Sequence, residues 1–133
     1  MKSKPIYESF GHKRKQWESF VEEAREILVG IARQRGMITY GELASRMTTI
    51  PVEPHDMVLW SIIGDVSHNE EKAGRGLLSV VVVHKHGDQE PGHGFYELAK
   101  CYGRNMKDKT KCFVEELKNV HYVWSVKNAG QRP

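Results

Sequence analysis

The chain has 133 residues, 39% of them hydrophobic and 28% charged, with a formal net charge of +3; this is the composition of one globular domain, not of a disordered or fibrous chain. A chain of this length buries roughly 68% of its unfolded surface, so a core needs neither disulfides nor a metal. The apolar runs at 57–63 and 77–83 are too short to span a bilayer, and Cys101 and Cys112, without CxxC spacing, read as reduced thiols.

The first residues, "MKSKPIYESFGHKRK", lack the apolar stretch of a secretory signal, so a cytoplasmic protein is expected. Before Trp17, five basic residues (Lys2, Lys4, Lys13, Arg14, Lys15) face one acid, Glu8. Residues 1–13 therefore read as a flexible basic arm, either solvated or touching phosphates. Trp17, Phe20, Val21, Ala24, Ile27, Leu28 and Ile31 then fall at helical spacing and form one apolar stripe, closed by Gly36.

In "MITYGELASRM", Ile38, Thr39 and Tyr40 suit a short edge strand, and residues 41–47 a short helix with Leu43, Ala44 and Met47 inward. "TTIPVEP" is a loop, because Pro51 and Pro54 cannot sit inside a helix. A helix starting near Pro54 or His55 then buries Val58, Leu59, Ile62, Ile63 and Val66 and leaves Trp60 half exposed. Residues 77–85, with four consecutive valines, predict a strand buried on both faces. "HGDQEPGHG" turns the chain, with Gly92 supplying the positive φ of a type II turn. Phe95, Leu98, Ala99 and Tyr102 have helical spacing, a last helix is expected over 108–119, and "VHYVWSV" alternates like a strand.

This order predicts a single α+β domain: a winged helix-turn-helix core over 14–103, with a β-hairpin wing from 78 to about 95, followed by a C-terminal helix and tail over 104–133. Within it, Thr39-Tyr40-Gly41-Glu42-Leu43-Ala44 resembles the "TYG-[EQ]-[IL]-A" element of the O6-alkylguanine DNA alkyltransferases and alkyltransferase-like proteins, over about residues 25–95. Ser61-Ile62-Ile63-Gly64, followed by Asn69, is similar to that family's "RAVG" helix and its asparagine. The resemblance implies a DNA-binding winged helix. The family's acceptor cysteine has no counterpart in Leu77-Leu78-Ser79-Val80, and Ser61 stands where its inserted arginine would be. Alkyl transfer is therefore not expected, since a serine hydroxyl lacks thiolate character.

The function expected is non-catalytic binding of double-stranded DNA, with no cofactor and no membrane partner. The helix over 55–68 contains no Arg or Lys and two aspartates, so the contacts must come from around it. They are assigned to Thr39, Tyr40, Arg46, Thr48, Thr49, Trp60, Ser61, Arg75, Lys85 and His86. Two other readings stay open. Met57 and Trp60, beside Asp56 and Asp65, suit a protein-docking patch. His84, His86 and His93 have the residue types of a three-histidine zinc site for hydrolysis, though their spacing matches no standard metal motif.

Overall fold

The computed structural model describes residues 5–85 and 89–127. The stripe of Trp17, Phe20, Ala24 and Leu28 is buried along α2 (Arg14–Arg33). Gln16 accepts the amide of Lys13 at the start of this helix, at 2.8 Å. At its end the Gly36 amide donates to the Ile31 carbonyl, and the left-handed residue is Arg35, with φ 55°, rather than the glycine. A one-turn helix, α1 (Ile6–Ser9), precedes it. Tyr7 and Phe10 set their rings 6.3 and 6.1 Å from Trp17, so the second half of the expected arm is held against α2 by aromatic contacts.

β1 (Ile38–Thr39) leads into α3 (Tyr40–Arg46), where Thr39 Oγ1 accepts the Glu42 amide as an N-cap. After the proline loop comes α4 (Met57–Lys72), which starts two to three residues later than the sequence implied. Its inward face is Leu59, Ile62, Ile63 and Val66, as expected, and Trp60 is half exposed.

The valine run departs most from expectation. It forms a 3₁₀ turn (Leu78–Val81) followed by only two strand residues, β2 (Val82–Val83). β2 pairs in parallel with β1, Ile38 opposite Val82 and Thr39 opposite Val83. The cause lies in where the backbone amides find acceptors. Leu77 donates to the Glu116 carboxylate at 2.9 Å, Ser79 to Ser67 Oγ at 3.2 Å, and Val80 to the Leu77 carbonyl at 3.0 Å. Side chains from two helices replace a neighbouring strand, so the run stays buried without joining a ladder. Each of its leucines and valines, at most 2% exposed, contributes about 1.5–3 kcal/mol of hydrophobic stabilisation.

The expected wing is correspondingly reduced. Past β2 the chain returns through one antiparallel bridge, Val83 to Pro91, and a hydrogen bond from the His84 amide to the Glu90 carbonyl. α5 (His93–Cys101) and α6 (Lys109–His121) follow. "VHYVWSV" is not a strand: α6 runs on into a π-helical turn (Tyr122–Lys127). Val120 and Trp124, four residues apart, are both buried, whereas Tyr122 is 56% exposed. The fold is thus mostly helical with a small two-stranded parallel sheet, and no described helix is long and apolar enough to cross a membrane.

Candidate functional site

Tyr40 opens α3 directly after β1, and its phenol is carried to the 84–92 loop, where its oxygen accepts the Gly92 amide at 3.1 Å. A Cβ on Gly92 would collide with that oxygen and lie 3.2 Å from ring carbon Cζ. Close approach to Tyr40 therefore explains this glycine. Its φ is −73°, so the type II turn expected here does not form. The positive φ in this loop, 52°, belongs to Gln89. Burial raises the phenol pKa of Tyr40 against the opposing Gly92 hydrogen bond, so the hydroxyl stays protonated at neutral pH. The His84 ring lies beside it, centroids 5.2 Å apart.

These groups form one wall of a cavity of about 720 Å³, within the roughly 300–1,000 Å³ range of small-ligand pockets. α4 supplies the opposite wall through Trp60, Ser61, Gly64 and His68, and α5 closes the floor with Phe95 and Leu98. Ile6 of α1 reaches the rim. Trp60, half exposed, is steadied by donating Nε1–H to the Pro54 carbonyl at 3.0 Å. Asp65 accepts Trp17 Nε1–H at 2.7 Å, and His68 Nδ1 is hydrogen-bonded to the Tyr102 hydroxyl.

Of the residues singled out from sequence, Tyr40, Trp60, Ser61, His84 and His93 meet at this cavity. Lys85 is exposed on the adjoining loop, and His86 lies outside the described residues. Thr39 serves as the α3 cap, and Arg46 pairs with Glu42 one turn back on the exposed face. Thr48 and Thr49 are engaged elsewhere: both amides and both hydroxyls donate to the Glu23 carboxylate, at 2.5 to 3.0 Å. Arg75 is turned to the far side of α4, where it clasps Glu70 at 2.6 Å and lies over Trp124.

The zinc reading finds no support among the described residues, where no three His, Cys, Asp or Glu side chains come together as metal ligands. His93 instead pairs with Glu97 at 3.2 Å. A nucleophile is equally hard to place. The Ser79 hydroxyl donates to Ser67 Oγ at 2.9 Å rather than to a base, and burial pushes the Cys112 thiol pKa up. Asp65, His68, Gly92 and Leu98 join the site without having been chosen from sequence. The spacing of Trp60, Ser61, Gly64, Asp65 and His68 on one helical face was the signal that would have placed the α4 group together.

No family model matches the chain, and no curated protein or solved structure is significantly similar to it.

Proposed function

We propose that the chain is a non-catalytic nucleic-acid-binding protein whose 720 Å³ cavity receives an unstacked base. The observation that carries this reading is the cavity itself, with the Tyr40 and Trp60 rings in its walls, a protonated phenol at one edge and exposed Lys85 on the adjoining loop. Aromatic walls accept the face of any base, and a nearby ammonium suits its phosphate. The resemblance of "TYGELA" to the alkyltransferase-like element favours the same face. α4 brings Asp65 and no lysine or arginine to that face, which disfavours deep insertion into a duplex groove and favours a base already out of the stack.

The test is fluorescence anisotropy with matched duplex, mismatched duplex and single-stranded oligonucleotides across a salt series. Mismatched or single-stranded DNA should bind more tightly than matched duplex, and Trp60→Ala should weaken binding by roughly 5- to 100-fold, the loss of one stacked base. Absence of binding to every nucleic acid at low salt overturns the proposal. A protein-docking role is favoured instead by Met57 and Trp60, 66% and 50% exposed at the start of α4. Salt-insensitive capture of an apolar peptide, lost on Met57→Ala, would select that reading.

A further inference from the structure

We infer that the nucleic-acid footprint extends beyond the cavity onto the α5–α6 connection, where Lys100, Lys107, Lys109 and Lys111 form an edge that binds the phosphate backbone. This rests on the nucleic-acid reading above and assigns it a second contact surface.

Residues 100–111, "KCYGRNMKDKTK", hold five basic residues and one acid. Two of these charges are engaged by the fold. Arg104 turns inward to Glu71 and Glu116, at 2.6 and 2.9 Å. Asp108 caps α6 by accepting the Lys111 amide at 3.1 Å. The four lysines remain, all exposed, and among the described residues no ion pair engages any of them. Elsewhere on the surface, Arg14 and Arg46 are matched by Glu18 and Glu42 one turn away. The lysine edge is thus a concentration of uncompensated positive charge, and phosphates are its natural counter-ions.

Position ties this edge to the cavity. Lys109 Nζ lies 4.6 Å from the centre of the Tyr96 ring. The Tyr96 hydroxyl donates to Glu90 at 3.0 Å, and the Glu90 carbonyl accepts the His84 amide at 3.0 Å. His84 lines the cavity, and Lys85 follows it on the same loop. A strand with one base in the cavity can cross that loop and continue over the lysines, with Lys85 between the two contacts.

The test uses the full chain carrying Lys107→Gln, Lys109→Gln and Lys111→Gln together, with Lys100→Gln as a second variant. Melting temperatures should stay at the wild-type value, because all four side chains are exposed. Binding of the same single-stranded oligonucleotide is measured over a salt series. The triple variant should bind roughly 100-fold more weakly at moderate salt, with its log Kd against log salt slope reduced by about 2, as expected for three lost phosphate contacts. Trp60→Ala should lower affinity and leave the slope unchanged. Wild-type binding with an unaltered triple variant overturns the lysine edge and spares the cavity reading. Absence of wild-type binding overturns both. If the triple variant loses binding to anionic lipid vesicles and keeps binding to DNA, the edge serves a membrane surface and the inference is overturned.

Discussion

The Gly92 amide and the Tyr40 hydroxyl, 3.1 Å apart, fasten the 84–92 loop to the first residue of α3. No side chain fits between them, since a Cβ on Gly92 would meet the phenolic oxygen and also lie 3.5 Å from His84 Nε2. Gly92→Ala should therefore destabilise the protein by about 1–3 kcal/mol through overpacking. Tyr40→Phe should cost about 1–3 kcal/mol on its own, by leaving the buried Gly92 amide without an acceptor. Together the two changes should cost less than their sum, because removing the oxygen makes room for the new methyl group. Urea unfolding of the four proteins measures that coupling, and strict additivity would show that the two groups do not touch in solution.

Glu23 holds the loop between α3 and α4 against α2. Burial raises its pKa, but the Thr48 and Thr49 hydroxyls and amides outweigh burial and hold the carboxyl at about 2, against its ordinary 4.5. The folded form thus resists protonation more than the unfolded form does. Its stabilising contribution is present above pH 4.5 and is lost as pH falls toward about 2. Glu23→Ala should cost about 1–3 kcal/mol at neutral pH, mainly through unsatisfied donors, with Glu23→Gln milder because one acceptor survives. The wild-type advantage over Glu23→Gln should shrink at the acid end of that window. An advantage independent of pH would mean that the clasp does not depend on the carboxylate charge.

The helices were legible in sequence wherever their burial was one-sided. α2 and the inward face of α4 follow from 3.6-residue spacing because each has water on one side and a single core on the other. The valine run gave no such contrast. Buried on every side, it has no periodicity to separate strand from turn, and Glu116 and Ser67 set its backbone from 39 and 12 residues away. Tyr122, Trp124 and Val126 alternate as in a strand, but the continuing helix places Trp124 on the face of Val120. The site was legible in the same uneven way. Tyr40 and Trp60 stood out as aromatic groups beside a short helix. The bond of Thr48 and Thr49 to Glu23, and of Arg75 to Glu70, follows only from tertiary placement.

Glu70 is 2% exposed and accepts from Arg25 at 2.9 Å and from Arg75 at 2.6 Å. Burial raises its pKa, yet the two guanidiniums outweigh burial and hold the carboxyl below the ordinary range. Both guanidiniums also lie over Trp124, 5.7 and 5.6 Å from its ring. Glu70→Gln should cost about 2–4 kcal/mol, less than the full cost of breaking a buried pair because both arginines are about a third exposed. Stability from this carboxylate is present above its unfolded pKa and is lost as pH falls through the folded one. Tryptophan fluorescence during urea unfolding reports it directly, since the cluster surrounds an indole. A Glu70→Gln protein as stable as wild type would remove the cluster from the list of structural supports.

Arg75 and Lys85 were both assigned to nucleic acid from sequence, and their environments now separate them. Arg75 donates two hydrogen bonds to Glu70, at 2.6 and 3.0 Å, on the side of α4 away from the cavity. Lys85 is exposed on the loop that carries His84 to the cavity rim. Arg75→Gln should lower stability by about 1–3 kcal/mol, as a lost charged hydrogen bond does, and leave the salt slope of DNA binding unchanged. Lys85→Gln should leave the melting temperature unchanged and reduce that slope by about 0.7, the loss of one single-strand phosphate contact. Measuring both quantities on both variants separates a folding role from a binding role. A reversed pattern, with Arg75 setting the slope and Lys85 the stability, would move the nucleic-acid face to the other side of α4.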